Sequence, residues 1–142
     1  MKNLKMKKEF KVIADLLPNN IRVLDVGCGD GSLMNFLQKE KNIEVRGLEL
    51  NKDNVQKCIH KGLPVIQGDA ETELHQFPKQ SFDYVVLSQT LQAFYEPDKV
   101  LKELLRIGKS VIVSSPNFGY WKVRTKLLFF GKMQVTKTLP NK

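Results

Sequence analysis

The chain has 142 residues, of which 42% are hydrophobic and 27% charged, and its formal net charge at pH 7 is +8. This length fits one domain with a single core, and the composition excludes a disordered or fibrous chain. The longest uncharged stretches, residues 84–95 and 110–121, are much shorter than the roughly 20 apolar residues of a membrane span.

The positive charge is concentrated at the two ends of the chain. Residues 1–8 carry four lysines and no acidic residue, and residues 117–142 carry six basic residues and no acidic residue. The body between them is slightly acidic, which argues against a nucleic-acid-binding surface. We therefore predict a single domain, 1–142, with a basic N-terminal arm, 1–8, and a basic, aromatic C-terminal segment, 117–142. Charged residues interrupt any apolar leader, so a cytoplasmic location is expected.

Apolar runs alternate with helical patterns along the chain. Five runs are predicted as strands: 21–26, 45–50, 64–67, 82–88 and 110–115. Helical spacing of apolar residues lies between them, around residues 33–37, 51–61 and 98–106. Strands that alternate with helices and are apolar on both faces form a parallel sheet with helices on both sides. The predicted fold is therefore an α/β, Rossmann-like, doubly wound sheet, mainly parallel, with about five strands.

A glycine-rich turn, D-V-G-C-G-D-G, follows the first predicted strand. Gly27, Gly29 and Gly31 permit a sharp turn and leave backbone N–H groups uncovered near a helix N-terminus, where polar or anionic ligand groups are favoured. The simpler alternative is a tight turn whose glycines serve packing alone. The dinucleotide fingerprint needs Gly or Ala at position 32, which is Ser32 here, and this disfavours NAD.

Acidic residues follow the next two predicted strands. Glu49 lies about 20 residues beyond the first glycine, where a carboxylate accepts hydrogen bonds from ribose hydroxyls in nucleotide-binding sheets. Asp69, ahead of Ala70, can accept from an exocyclic amine such as adenine N6, or it can cap a helix N-terminus. Because such sheets bind ligands at the carboxyl ends of their strands, the three strand ends together predict a nucleoside pocket.

The series D-V-G-C-G-D-G, L-E-L, G-D-A and F-D-Y-V-V-L-S resembles the class I S-adenosylmethionine-dependent methyltransferases. The resemblance implies S-adenosylmethionine or S-adenosylhomocysteine as the ligand. It also implies a set of cofactor-binding residues at the strand ends: Asp25, Gly27, Gly29, Gly31, Glu49, Asp69, Ala70 and Ser88. In this interpretation the glycine turn and Asp25 face the methionine part, Glu49 the ribose, and Asp69 the adenine, while Ser88 lines the floor.

Three segments, 23–31, 82–93 and 115–124, resemble the MetW family of methionine-biosynthesis proteins more closely. They read V-L-D-V-G-C-G-D-G, F-D-Y-V-V-L-S-Q-T-L-Q-A and S-P-N-F-G-Y-W-K-V-R. The resemblance implies a methyltransferase-like protein that acts with, or activates, homoserine O-acyltransferase, with acetyl and succinyl transfer left open. Family members continue beyond Leu139-Pro140. The chain is therefore expected to be truncated relative to the family, with the terminal hairpin of the fold missing or reduced.

The sequence identifies no catalytic residue. S-Q-T-L, residues 88–91, stands where N-methyltransferases typically carry N/D-P-P-Y/F. Two functions stay open, a regulatory S-adenosylmethionine-binding module and an active methyltransferase on a small molecule, and the missing acceptor motif favours the module. His75 is interpreted as a solvated loop histidine and Cys28 as a small residue that fills the turn. No metal site is indicated, because Cys28 and Cys58 form no CxxC pair.

The C-terminal segment leaves several interpretations open. Residues 120–130 mix aromatic and basic side chains, as in a protein-docking surface, an interfacial membrane helix, an RNA contact or a lid over the sheet. The family resemblance favours a protein partner over membrane or nucleic acid. Residues 132–142 show no convincing strand pair, so the strand at 110–115 is expected at the sheet edge. Either residues 117–142 fold over that edge or the chain self-associates through it.

Overall fold

The computed structural model describes residues 2–88, 91–115, 119–124 and 135–137. The helices in these ranges are α1 (Lys2–Leu16), α2 (Ser32–Glu40), α3 (Lys52–His60), α4 (Ala70–Glu73) and α5 (Pro97–Ile107). The strands are β1 (Ile21–Val26), β2 (Ile43–Glu49), β3 (Val65–Gln67), β4 (Phe82–Leu87), β5 (Gly108–Ser115), β6 (Gly119–Arg124) and β7 (Val135–Lys137). Short 3-10 helices lie at Leu74–Gln76 and Leu91–Ala93.

The strands form one sheet in the order β3-β2-β1-β4-β5-β6-β7. The first five strands in this order are mutually parallel, with β1 between β2 and β4. Strand order reverses at β1, because β2 and β3 lie on one side of it and β4 and β5 on the other. This reversal opens a crevice at the carboxyl ends of β1 and β4, where doubly wound sheets bind ligands. The predicted five-stranded, parallel, Rossmann-like core is confirmed.

The fifth strand is not at the edge of the sheet. Strand β6 pairs antiparallel with β5 from Ser110↔Arg124 to Ser115↔Gly119, and β7 pairs antiparallel with β6. Within the described residues, the part of the C-terminal segment that folds back over β5 is therefore residues 119–124. The expectation of no strand in residues 132–142 is wrong for Val135–Lys137, and β6 and β7 form an antiparallel pair where the terminal hairpin was expected to be missing or reduced. The side chains of residues 120–130 lie outside the described part of the structure.

Helix α1 is an element that the sequence patterns above do not predict. It includes residues 2–8 of the basic arm and continues to Leu16, close to the start of β1. Its C-terminal half packs against the sheet through Ile13 and Ala14, both nearly fully buried. The rings of Phe10 and Phe36, on α2, lie 5.8 Å apart between centroids. The basic segment is thus anchored to the domain by an apolar face.

Two apolar layers enclose the sheet. One contains buried residues of α4 and α5 against one face, and the other contains buried residues of α1, α2 and α3 against the opposite face. Along β1 the side chains alternate between them, with Leu24 in the first layer and Val23 in the second. None of the described helices is long and apolar enough to cross a bilayer.

Candidate functional site

The glycine-rich turn between β1 and α2 has left-handed backbone at its three glycines. The φ angles of Gly27, Gly29 and Gly31 are 73°, 59° and 85°, a region that side chains disfavour. A Cβ atom at Gly31 would lie 2.6 Å from Leu63 Cδ1, so this glycine serves packing. A Cβ at Gly29 would have nothing within 4 Å. The space beside the Cα of Gly29 is therefore open.

Glu49, the last residue of β2, fixes this turn. Its Oε1 accepts a hydrogen bond from the Gly29 N–H at 2.7 Å, and its Oε2 accepts one from the Asn51 N–H at 3.0 Å. A carboxylate has about four acceptor positions, so each oxygen keeps one for a further donor. The end of β2 and Gly29 of the turn thus form one hydrogen-bonded unit.

Asp25 lies beneath the turn, in β1, and is 1% exposed. Its Oδ1 accepts a hydrogen bond of 2.6 Å from the hydroxyl of Ser88, the residue that follows β4. Its Oδ2 is buried and has no hydrogen-bond partner. Burial raises the pKa of Asp25 to about 7; the Ser88 hydrogen bond opposes this shift, and the negative charge of Glu49 adds to it. A buried carboxyl oxygen without a partner is costly and is typical of functional sites.

Asp69 follows β3 and is the N-cap of α4. Its Oδ1 accepts a hydrogen bond from the Glu71 N–H at 3.0 Å, so the capping role considered above is present. Asp69 and Ala70 also line a narrow cavity of about 50 Å³ between the ends of β1, β2 and β3. Leu50 and Phe94 contribute apolar walls to this cavity. The site therefore has an apolar slot beside a carboxylate.

A second cavity, of about 280 Å³, lies on the other side of the turn. Gly27 lines both cavities. The second cavity is lined on one side by Ser88 and by Cys28 and Gly29 of the turn. Helix α1 lines its other side through Glu9, Phe10 and Ile13. The α1 residues are absent from the sequence-based site, although the apolar spacing at residues 10, 13, 14 and 17 is a helical signal that could have indicated them.

Seven of the eight predicted residues thus meet around the crevice. Gly27, Gly29, Asp69, Ala70 and Ser88 line the two cavities, and Asp25 and Glu49 are hydrogen-bonded directly to this lining. Gly31 lies apart and packs against Leu63 and Cys58.

Other candidate groups lie away from the crevice. His75 is in the 3-10 helix after α4 and lines a separate cleft of about 320 Å³ against α5. Gln89 and Thr90 are outside the described residues. Within the described ranges, no group of three or more His, Cys, Asp or Glu side chains could hold a metal ion.

Comparison with known proteins places this crevice in a family context. A solved S-adenosylmethionine-dependent methyltransferase from Archaeoglobus fulgidus is 28% identical, with a TM-score of 0.64, over 82% of this chain and 54% of that one. The cyclase SpnF superposes with a TM-score of 0.66 at 24% identity over 75% of this chain and 43% of its own, which shows the fold alone. The fold is that of the class I S-adenosylmethionine-dependent methyltransferases.

Among sequences, the bifunctional methionine biosynthesis protein MetXA/MetW of Rhodopirellula baltica is 32% identical over 128 residues. The aligned region is 84% of this chain but 20% of that relative, so the chain spans about a fifth of its length. The family model described as methionine biosynthesis protein MetW matches residues 7–142. The chain therefore belongs to the MetW family of methionine biosynthesis proteins.

Proposed function

We propose that this chain binds S-adenosylmethionine, or S-adenosylhomocysteine, at the carboxyl edge of the sheet and serves methionine biosynthesis as a partner of homoserine O-acyltransferase. The observation that carries the proposal is the grouping of Asp25, Glu49 and Asp69 at the ends of three neighbouring strands around the glycine-rich turn. The partnerless Oδ2 of buried Asp25 supports a ligand beside the turn.

The donor set fits the chemistry of this ligand. S-adenosylmethionine carries a sulfonium and an ammonium charge, and carboxylates stabilise both. Glu49, with one acceptor position left on each oxygen, would hold the ribose hydroxyls. Asp69 and Ala70 would hold the adenine ring in the slot between Leu50 and Phe94. The turn at Gly27 and Gly29, with Asp25 and Ser88 below it, would hold the methionine part. The bound compound would supply an activated methyl group.

The proposed partner has separate support. The Rhodopirellula relative is named as a bifunctional MetXA/MetW protein, which puts a MetW portion and a MetXA portion in one chain. We infer that this chain acts with a separate homoserine O-acyltransferase, or activates it, and that both proteins are cytoplasmic. The crevice then serves as a sensor of S-adenosylmethionine for the partner enzyme.

An active methyltransferase on a small molecule is the second candidate. The cavity of about 280 Å³ beside the turn, closed by Glu9 and Phe10 of α1, provides room next to the proposed methionine position. Catalysis there would consist mainly of holding an acceptor against the methyl group.

Calorimetry with S-adenosylmethionine, S-adenosylhomocysteine and NAD tests the binding proposal. We expect the two adenosyl compounds to bind and NAD not to bind. Glu49→Gln should weaken binding by about 1.5 to 3 kcal/mol, about tenfold or more, because a charged hydrogen-bond acceptor is lost. Glu40→Gln, at the exposed end of α2, is the matched control and should bind normally. Tight NAD binding, or a folded protein that binds no adenosyl compound, refutes the proposal.

The partner proposal is tested by assaying homoserine acylation by the acyltransferase with and without this chain. We expect a faster rate when the chain is present and a dependence of that rate on S-adenosylmethionine. An unchanged rate, together with transfer of labelled methyl to a metabolite in cell extract, would favour the methyltransferase instead.

A further inference from the structure

Two thiols lie side by side behind the glycine-rich turn. Cys28 belongs to the turn and Cys58 to α3, 30 positions later, and their Sγ atoms are 3.8 Å apart. Cys28 is 6% exposed and lines the larger cavity of the site, whereas Cys58 is fully buried. Both are free thiols. A disulfide requires the sulfurs to approach to about 2.05 Å, so a closing movement of nearly 2 Å would join the turn to α3.

Both thiols lie close to the carbonyl of Gly29, whose N–H is hydrogen-bonded to Glu49. The Cys58 thiol donates a hydrogen bond to the Gly29 carbonyl at 3.4 Å, and the Cys28 Sγ lies 3.8 Å from the same oxygen. The N–H of Gly29 is bonded to Glu49. The backbone of one glycine therefore links the thiol pair to the carboxylate proposed to hold the ribose.

The surroundings of the sulfurs leave little room for an independent movement. A Cβ atom at Gly47 would lie 2.7 Å from the Cys28 Sγ, and one at Gly31 would lie 3.0 Å from the Cys58 Sγ. Because the interior is close-packed, a movement that brings the two sulfurs together must also shift the glycine-rich turn or the elements that pack against it. The loss of the S–H donor to Gly29 adds to this shift.

We propose that Cys28 and Cys58 form a reversible disulfide, a covalent modification that distorts the glycine-rich turn and weakens binding at the crevice. Formation of the bond rests on the thiol geometry alone. Its effect on S-adenosylmethionine rests on the proposed function. The modification would uncouple the protein from its ligand under oxidising conditions.

The chemistry balances with hydrogen peroxide as oxidant. The sulfur of Cys28, a residue that lines the cavity, attacks the peroxide, so that the O–O bond breaks and a sulfenic acid and one water form. The Cys58 sulfur then attacks the sulfenic sulfur, the S–O bond breaks, and the departing hydroxide takes the thiol proton as a second water. The two sulfurs together lose two electrons, and the peroxide gains them.

The surroundings of the two thiols also determine how fast the disulfide forms and is reduced. Burial raises the pKa of the Cys28 thiol, and the negative charges of Asp25 and Glu49 raise it further; burial raises the pKa of Cys58 as well. Thiols that resist ionisation attack slowly, and their disulfide is also reduced slowly because they are poor leaving groups. We expect oxidation over hours and a long-lived disulfide, in contrast to the behaviour of a fast peroxide sensor.

The test uses the purified full chain treated with hydrogen peroxide. We expect its intact mass to fall by two hydrogen atoms, both thiols to become resistant to alkylation, a cross-linked peptide to join residues 28 and 58, and dithiothreitol to reverse all three changes. Cys58→Ser and Cys58→Ala should abolish the mass loss. Two thiols that remain alkylatable in unfolding buffer after prolonged oxidation, or a mass gain of oxygen atoms in place of the loss, overturn the proposal.

A second measurement separates this inference from the proposed function. The reduced and oxidised proteins are titrated with S-adenosylmethionine. We expect the affinity of the oxidised form to be lower by about tenfold or more, and the bound ligand to slow oxidation in return. Equal affinities of the two forms refute the regulatory effect. If the disulfide forms but neither form binds, the modification stands and the S-adenosylmethionine proposal fails.

Discussion

The buried carboxyl of Asp25 makes the stability of this protein depend on pH in an unusual direction. Its pKa is raised from the ordinary value of 3.8 to about 7 because burial disfavours the ionised form. Between these two values the folded protein holds one proton more than the unfolded chain. The free energy of unfolding therefore falls as pH rises through this range and levels off above about pH 7, the reverse of the usual behaviour of a paired carboxylate.

The magnitude follows from the pKa shift. Each pH unit in this range costs about 1.4 kcal/mol, so the contribution of Asp25 falls by about 2 to 3 kcal/mol between about pH 5 and pH 7. Asp25→Asn keeps the shape of the side chain and removes the titration. The unfolding free energy of the wild type, relative to that of this variant, should thus fall by about 2 to 3 kcal/mol between about pH 5 and pH 7. Above about pH 7 the difference should stay constant.

Urea denaturation of both proteins at a series of pH values, at constant ionic strength and without ligand, measures this difference. Asp53→Asn, at the exposed start of α3, is the control for the loss of a surface carboxylate. Parallel curves for the wild type and Asp25→Asn would mean that the Asp25 carboxyl is ionised throughout, and the argument from burial would be wrong.

Two further predictions concern local structure, and urea denaturation measures both. Asn51→Ala should destabilise the protein by about 1 kcal/mol because its side chain caps α3 through the Asn54 N–H, whereas Asn51→Asp should keep the cap; equal losses in the two variants contradict the capping role. Gly108→Ala should cost about 1 to 3 kcal/mol because its Cβ would lie 2.7 Å from Cγ2 of the buried Val85, and combining it with Val85→Ala should cost less than the sum of the two changes. Strict additivity would exclude that steric clash.

The parallel core was predictable because its strands are coded locally. β1 is a β-branched, apolar run stopped by Gly27, and β5 is a similar run, so each could be recognised without knowledge of its neighbours. β6 follows β5 after only three residues, but its run G-Y-W-K-V-R mixes aromatic and basic residues and gives a weaker strand pattern than the apolar run of β5. α1 carries many lysines in its first half, and the helical spacing of its apolar residues is confined to the second half, around the buried Ile13 and Ala14.

The candidate site was predictable to the extent that it follows the strand ends. Glu49 and Asp69 could be placed because parallel strands bring their carboxyl ends to one edge. The sequence could not show that Glu49 holds the Gly29 N–H, or that Cys58 reaches the turn from α3, because both contacts join residues at least 20 positions apart. The partnerless oxygen of Asp25 is likewise a property of packing, invisible in composition or spacing.

The antiparallel pairing of β5 with β6 has a consequence for synthesis on the ribosome. β5, Gly108–Ser115, leaves the ribosome before β6, Gly119–Arg124, and at about 5 to 20 residues per second the delay is about a second. During that interval β5 can join β4, but its other edge carries unpaired N–H and carbonyl groups that another nascent chain could pair with. A pause in translation between the two strands would lengthen this interval and leave that edge of β5 open to other chains for longer.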